Sequence, residues 1–280
     1  MDDRVHRMAA LANVSAYNNA ATKDYVDGAP HVKHASLRTL YGSLLVKVFD
    51  RAHTYIKVPK VLDLGAGEGS VTLPFLELGA KVVAVDISPS QLDALRSRCV
   101  KFGENLDTRC QDIYDALTDT SEIYDIIVVN SFLHHVPDYL ALIGASAARL
   151  SDRGQFFSFQ DPLRYDSVSK STVRFSNLAY FSWRLFKGDI FGGISRRLRR
   201  SRGIYFEDSV HDNAEYHVVR NGVDQDAIRG HLESLGFRCE ILYYFSTQSR
   251  FFQIVGAALG IKNTFAVVAQ KHELDLRRRR

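Results

Sequence analysis

The sequence predicts an α/β fold with a mostly parallel sheet of seven strands, the last one antiparallel, and helices on both faces. Between residues 60 and 160, short β-branched runs alternate with longer helical patterns, which is typical of βαβ units. The segment Gly65-Ala-Gly-Glu-Gly-Ser70 follows the first apolar run directly. Because ligands of an open parallel sheet bind at the carboxyl ends of its strands, this segment is predicted to form part of a binding edge.

The predicted elements follow one another in the βαβ order as far as the fifth strand. Strands are predicted at residues 60–64, 81–86, 107–111, 125–130, 155–160, 237–245 and 264–270. Helices are predicted at residues 69–78, 89–102, 138–150 and 224–235, with a short one at 251–260. Ser88 offers a cap to the second helix, with Pro89 at its first position. The last two strands lack a full crossover, which indicates an antiparallel pair at one sheet edge.

Interruptions of this pattern divide the chain into segments. The first 58 residues contain no strong strand, and an aromatic and arginine-rich insertion follows the fifth strand. The predicted segments are an N-terminal helical lid (1–58), a cofactor-binding core (59–162), a capping insertion (163–222), the completion of the core (223–272) and a basic tail (273–280).

Composition excludes several classes of protein. The chain has 280 residues, of which 46% are apolar and 24% charged, as in ordinary globular proteins, and no run approaches the ~20 apolar residues of a membrane span. Cys99, Cys110 and Cys239 form no CxxC pair and are odd in number, which argues against disulfides and a metal site and favours the cytoplasm. The net charge of +4 equals that of the four terminal arginines, so charge predicts no nucleic-acid partner. The oligomeric state stays open.

The glycine spacing distinguishes two kinds of cofactor. A dinucleotide fingerprint would place its third glycine at position 70, which is serine, so an NAD(P) site is disfavoured. With Asp63 in the preceding strand, the spacing resembles motif I of the class I S-adenosylmethionine-dependent methyltransferases, E/D-x-G-x-G-x-G. The segment Leu133-His-His-Val-Pro-Asp138 is similar to that of many small-molecule members of this family. The resemblance covers about residues 60 to 160 and implies a Rossmann-like fold with S-adenosyl-L-methionine as cofactor.

The resemblance also implies roles for individual residues. Asp86 would accept hydrogen bonds from the ribose hydroxyls, and the alternative is that it only starts a helix. Asp112 would accept from the adenine amino group with Ile113 packing on the ring, although acids are common in such loops. The implied cofactor-binding residues are Asp63, Gly65, Ala66, Gly67, Gly69, Asp86, Ile87, Asp112, Ile113, Asn130 and Ser131.

Three histidines are candidates for a general base, because imidazole exchanges protons near neutral pH. His134 and His135 follow the fourth strand, and His135 is the preferred base; either could instead shape the cofactor pocket. His217 lies where the insertion returns to the core, where a structural role or a substrate contact is the simpler interpretation. Asp161, after the fifth strand, could also face the substrate. The N-terminal candidates lie in a region that, in similar enzymes, closes over the cofactor, although each taken singly is better interpreted as a generic surface residue; they are Tyr17, His31, Lys33 and His34.

The insertion leaves the acceptor open. Residues 178–191 are dense in aromatics, and residues 194–202 contain five arginines. They could form a packed lid over an apolar or aromatic small molecule, or an RNA groove. A third possibility is an amphipathic element on an anionic membrane, formed by residues 178–206 with 251–261.

The preferred function is methyl transfer to a hydroxyl, amine or carbon of a small metabolite. A planar exocyclic amine is disfavoured because Asn130-Ser-Phe-Leu133 replaces the Pro-Pro-aromatic sequence of many base methyltransferases. The alternatives are a lipid-like acceptor, RNA, an NAD(P)-dependent oxidoreductase and a catalytically silent binding module.

Overall fold

The computed structural model describes residues 8–11, 29–187 and 216–272. In this part of the chain the strands are β1 (Lys60–Leu64), β2 (Lys81–Asp86), β3 (Leu106–Cys110), β4 (Tyr124–Asn130), β5 (Leu150–Pro162), β6 (Phe237–Tyr244) and β7 (Thr264–Lys271). The helices are α1 (Pro30–Lys33), α2 (Ala35–His53), α3 (Thr72–Glu77), α4 (Pro89–Cys99), α5 (Tyr139–Ala148), α6 (Lys170–Lys187), α7 (Tyr216–Val219), α8 (Gln225–Ser234) and α9 (Arg250–Ala258). Residues 8–11 are also helical.

The strands form one sheet in the order β3-β2-β1-β4-β5-β7-β6. The pairs from β3 to β5 are parallel, whereas β7 runs antiparallel to both β5 and β6. The predicted seven-stranded sheet with an antiparallel last strand is therefore confirmed. The strand order reverses between β1 and β4, and such a switch point opens a crevice at the carboxyl ends of the strands.

Local chemistry shifts the ends of several elements. α3 begins at Thr72 and not at residue 69, because Gly69 has a φ of 88° and still belongs to the turn. Ser88 precedes α4 as predicted, but its hydroxyl makes no capping bond to the helix and contacts Ser90 Oγ instead. Predicted helix 89–102 ends early in a 3-10 turn at Val100–Asn105.

Two apolar layers cover the two faces of the sheet, as predicted. On one face, Leu45 and Phe49 of α2 pack with Phe157 and Phe159 of β5. On the other face, the buried residues come from α5, α8 and the opposite side of the same strands. Burying one such large apolar side chain contributes about 1.5–3 kcal/mol. Part of the predicted N-terminal lid, namely α2, is thus a component of the core.

The remaining predictions about segments concern the insertion and the surroundings of the protein. α6 and α7 lie within the predicted insertion, whereas residues 188–215, with the five arginines, lie outside the described residues, as does the tail 273–280. Across residues 8–11, 29–187 and 216–272, no helix combines the length and the apolar character that crossing a membrane requires. The cytoplasmic location stays a prediction.

Candidate active site

A cavity of about 500 Å³ lies at the carboxyl ends of β1, β2, β4 and β5. This volume is within the range of small-molecule and cofactor sites. The predicted residues among its lining are Gly65, Gly67, Asp86, Ile87, Asp112, Ile113, Asn130, Ser131, His134 and His135. The folded chain thus brings together residues that lie up to 70 positions apart in the sequence.

The three glycines of the loop after β1 meet different requirements. A Cβ on Gly65, which has a φ of 74°, would lie 2.5 Å from the Phe132 ring. A Cβ on Gly69, with a φ of 88°, would lie 2.2 Å from Leu95 Cδ1. Gly67 faces open space at the cavity, its nearest neighbour being Gln91 Oε1 at 3.8 Å. Gly65 and Gly69 therefore permit close packing, while Gly67 leaves room for a ligand.

Asp86 connects the loop to the start of α4. Its Oδ2 accepts a hydrogen bond from Gly67 N at 2.8 Å, and its Oδ1 accepts from Ser88 N at 2.8 Å. Burial raises the pKa of Asp86, and these backbone donors oppose the rise because they stabilise the charged carboxylate. Asp86 thus both lines the cavity and fixes the residue before the helix, so the two interpretations of its role are compatible.

Asp63 lies behind the glycine loop and does not line the cavity. Its Oδ2 accepts a 2.6 Å hydrogen bond from Thr72 Oγ1 at the start of α3. Burial raises its pKa to about 7. Its Oδ1 is buried and has no partner in the described part of the chain. Ala66 and Gly69, which belong to the loop itself, are also absent from the cavity wall.

The two ends of the cavity carry different polar groups. Asp112 Oδ1 accepts a 2.8 Å hydrogen bond from Tyr114 N, and this bond stabilises the loop after β3. The neighbouring Ile113 is buried, with 6% of its surface exposed. At the end of β4, Asn130 Oδ1 is buried without a partner among the described residues. Ser131 adopts a φ of 51°, and its N–H donates to Phe159 O at 2.6 Å.

His134 forms a buried pair with Asp161 on the cavity wall. Asp161 is fully buried, and its Oδ1 lies 2.8 Å from His134 Nδ1 and 3.1 Å from His134 N. Ser158 Oγ donates to the other carboxylate oxygen at 3.1 Å. Because an ionised carboxylate only accepts hydrogen bonds, the His134 ring donates from Nδ1. Its Nε2 is then the basic nitrogen of the ring.

A β-bulge in β5 creates this pair. Phe159 pairs with Ala266 and Asp161 pairs with Phe265, so Gln160 is one extra residue in β5. In a regular strand, positions three apart point to opposite faces of the sheet. The bulge, with Gln160 at a φ of 73°, turns Asp161 to the same face as Ser158 and toward His134.

His135 and His217 occupy different environments. The His135 ring lines the cavity, and its centre lies 4.0 Å from that of His134. His217 Nε2 donates to the carbonyl of Val136 at 2.9 Å, and its ring lies edge-on to Tyr139. Burial lowers the pKa of His217, and its ring is not part of the cavity wall. These contacts are in keeping with the structural role considered from the sequence, and the role of His217 stays a prediction.

The interpretation of His31 and His34 as generic surface residues is wrong. His31 is 1% exposed between Tyr41 and Phe159, and neither ring nitrogen has a partner among the described residues. Burial lowers its pKa to about 4. His34 is also buried, and its Nε2 lies 2.7 Å from Thr247 O. Both are buried because α1 is held against the core; Tyr17 lies outside the described residues.

A sequence profile described as "Methyltransferase domain" matches residues 3–240, most of the chain. The chain belongs to this family. The chain is 33% identical over 98 residues to the ubiquinone biosynthesis O-methyltransferase of Xanthomonas axonopodis pv. citri (strain 306). That match covers 35% of this chain and 41% of the relative, so the chain spans about two fifths of the length of the curated relatives it matches.

Solved structures show the fold of the chain. A putative sarcosine dimethylglycine methyltransferase from Galdieria sulphuraria matches with a TM-score of 0.55 at 16% identity, over 86% of this chain and 88% of that one. The magnesium protoporphyrin IX methyltransferase of Synechocystis PCC 6803 with bound SAM matches with a TM-score of 0.51 at 16% identity, over 94% and 97%. The expected Rossmann-like fold and family are confirmed, and the oxidoreductase alternative is not favoured.

One side of the cavity was not identified from the sequence. The residues missed there are Gln160, Pro162, Ser246, Gln248 and Thr264. They come from the end of β5, the segment after β6 and the start of β7. Since β7 is antiparallel, its amino end lies beside the carboxyl ends of the parallel strands. Residues that follow the carboxyl end of β6 and residues at the amino end of the antiparallel β7 could therefore have been predicted to line the cavity.

Proposed function

We propose that the protein transfers a methyl group from S-adenosylmethionine to a hydroxyl group of a small, apolar or aromatic acceptor. The observation that carries this proposal is the buried His134–Asp161 pair, which places an oriented imidazole on the wall of the cavity beside the glycine loop. The curated relatives are named O-methyltransferases, which supports the choice of a hydroxyl acceptor.

The residues of the cavity fit S-adenosylmethionine. Gly67 leaves space beside the loop, and Asp86 offers a carboxylate next to that space. Asn130 Oδ1 is a buried acceptor with no partner among the described residues, which suits a donor group of a ligand. Asp112 and Ile113 line the same cavity and offer a hydrogen-bond acceptor and an apolar contact for adenine. S-adenosylmethionine supplies a methyl group that its sulfonium sulfur already activates.

The chain then has to remove the proton of the acceptor hydroxyl and hold the acceptor in line. His134 Nε2 is suited to take this proton, because the bond from Nδ1 to Asp161 fixes the tautomer and stabilises the imidazolium that forms. Asp161 acts through His134 and is a positioning residue. Correct orientation of the acceptor supplies a further share of the rate.

His134 is a better candidate base than His135, which was preferred from the sequence. The buried carboxylate contacts the His134 ring and its backbone N–H, whereas His135 packs against Phe132 and His134. We therefore propose that His135 shapes the cavity. His134→Gln should lower kcat far more than the affinity for S-adenosylhomocysteine, and His135→Gln should change both by similar factors.

Calorimetry and a methylation screen test the proposal. We expect S-adenosylhomocysteine to bind at micromolar concentration and NADH not to bind. Incubation with S-adenosylmethionine and a panel of phenols, aromatic amines and carbon acids should then methylate a phenol. Methylation of amines alone would refute the hydroxyl acceptor, and binding without turnover on any extract would indicate a silent binding module.

A further inference from the structure

α6 and α9 carry exposed apolar side chains that belong to no core layer. They are Val173, Leu178 and Leu185 of α6, Phe251 and Ile254 of α9, and Leu259 directly after α9. Phe251 is 68% exposed and Ile254 63% exposed. These residues are called the α6–α9 surface below.

The two helices are in contact, and the inner side of α9 is well packed. The ring of Phe175 in α6 lies 5.4 Å from that of Phe252 in α9 and 5.6 Å from that of Phe245. A Cβ on Gly256 would lie only 2.4 Å from the Phe245 ring. Buried Gln253 accepts from Thr247 N and donates to Phe245 O. The exposure of Phe251 and Ile254 is therefore a property of a fixed helix.

The charged residues of the two helices are all basic. Neither α6 nor α9 contains an aspartate or a glutamate. Lys170 and Arg174 of α6, Arg250 of α9 and Lys262 just beyond it are exposed. Exposed apolar side chains flanked by basic ones are the features of a surface that lies on an anionic membrane.

The surface is also connected to the cavity. Ser246 and Gln248 lead into α9, Thr264 follows it, Pro162 precedes α6, and all four line the cavity. The α6–α9 surface and one wall of the cavity are therefore formed by neighbouring segments of the chain.

We propose that the α6–α9 surface docks the protein on an anionic lipid bilayer, with Phe251 and Ile254 entering the interface and the basic side chains meeting lipid phosphates. The apolar residues supply the attraction that does not depend on salt, and the basic residues supply the part that does. Docking does not depend on methyl transfer, so its test is independent of the proposed function.

Co-sedimentation of the full chain with vesicles tests docking. Vesicles of equal parts phosphatidylcholine and phosphatidylglycerol should bind the protein, and vesicles of phosphatidylcholine alone should bind it at least about tenfold more weakly, because anionic lipid attracts the basic residues. Raising the salt concentration should weaken binding. Equal binding to both kinds of vesicle, or to neither, would overturn the proposal.

Substitutions locate the docking surface. Phe251→Ser with Ile254→Ser should reduce binding to the anionic vesicles by about tenfold or more, because both side chains lose apolar area. Val100→Ser is the matched control, since Val100 is 76% exposed and precedes β3 at the opposite edge of the sheet. Melting temperatures of the variants establish that each is folded.

Two results would contradict this assignment. Undiminished binding of the double variant would place docking elsewhere on the chain. Light scattering that shows a dimer for the unmodified protein and a monomer for the double variant, without vesicle binding, would make the surface a subunit interface.

Discussion

Asp161→Asn tests whether the His134–Asp161 pair drives catalysis. The substitution keeps the shape of the side chain but replaces one carboxylate oxygen with an amide NH₂. Asp161 accepts three hydrogen bonds, from His134 N, His134 Nδ1 and Ser158 Oγ. The amide oxygen can still accept both bonds from His134, with its NH₂ turned toward Ser158 Oγ, so the ring keeps its tautomer but loses the carboxylate charge that stabilises the imidazolium. The base is then weakened while the cavity keeps its shape.

The expected loss of kcat follows from the contribution of a general base. Proton removal by a positioned side chain contributes about 10²–10⁴-fold, or about 3–5 kcal/mol of transition-state stabilisation. Unmade buried hydrogen bonds cost about 1–3 kcal/mol of folding stability. The affinity for S-adenosylhomocysteine should stay within about twofold, because Asp161 is not part of the predicted cofactor set.

The assay combines methyl-transfer kinetics over a range of pH with calorimetry of S-adenosylhomocysteine. In the unmodified protein kcat should fall at low pH, because a protonated imidazole cannot act as a base. Asp161→Asn should lower kcat and move this limb to lower pH, because the imidazolium loses its carboxylate partner. A kcat within about twofold of the original, or an equal loss of kcat and cofactor affinity, would refute the role of the pair.

Asp125→Asn provides the matched control. Asp125 accepts from Lys60 N at 2.9 Å and from Ser151 Oγ at 3.0 Å, so it also bonds a backbone N–H and a serine hydroxyl. It lies at the amino end of β4, at the edge of the sheet opposite the cavity. We expect Asp125→Asn to lower stability by a similar amount and to leave kcat and its pH dependence unchanged.

Three further substitutions test the cofactor site and the buried histidine. Asp86→Ala should weaken the binding of S-adenosylhomocysteine, measured by calorimetry, by about 1–3 kcal/mol, because charged hydrogen bonds to the ligand are lost. An unchanged affinity would show that Asp86 does not contact the cofactor. Gly65→Ala should lower the free energy of unfolding by more than Gly79→Ala. Both glycines have a positive φ, but only the Cβ added at position 65 would meet a side chain within 4 Å. Equal decreases in unfolding free energy, measured by urea denaturation, would contradict this. His31 has a pKa lowered to about 4, so the unfolded chain, with an ordinary value of about 6.5, binds more protons between these pH values and stability falls as the pH drops through that window. His31→Phe should abolish this fall, which amounts to about 2 kcal/mol between pH 7.5 and pH 5. If urea denaturation gives the same difference in unfolding free energy between the two proteins at both pH values, the prediction is contradicted.

The sequence predicted most of the sheet and the glycine loop. β1 and β2 match their predicted bounds because runs of buried β-branched residues next to glycines or helix starts have few alternative conformations. Asp86, Asp112 and Asn130 were found at the cavity because each follows or ends a parallel strand, and such strands share one carboxyl edge.

Features that depend on contacts between distant segments were not predictable in this way. His31 was taken for a surface residue, but α1 is packed against Tyr41 and Phe159. Asp63 belongs to the glycine motif, yet it contacts Thr72 behind the loop. Neither burial nor side-chain direction follows from the neighbours of a residue in the chain.

The sequence by itself determined the α/β class, the binding edge and the family, because hydrophobic periodicity and glycine spacing are local properties of the chain. The tertiary structure decided which histidine faces a carboxylate. The preference for His135 over His134 could not be corrected from the sequence, because the extra residue Gln160 in β5 is visible only in the pairing with β7. That one bulge changes the face of the sheet on which Asp161 lies, and so completes the pair with His134.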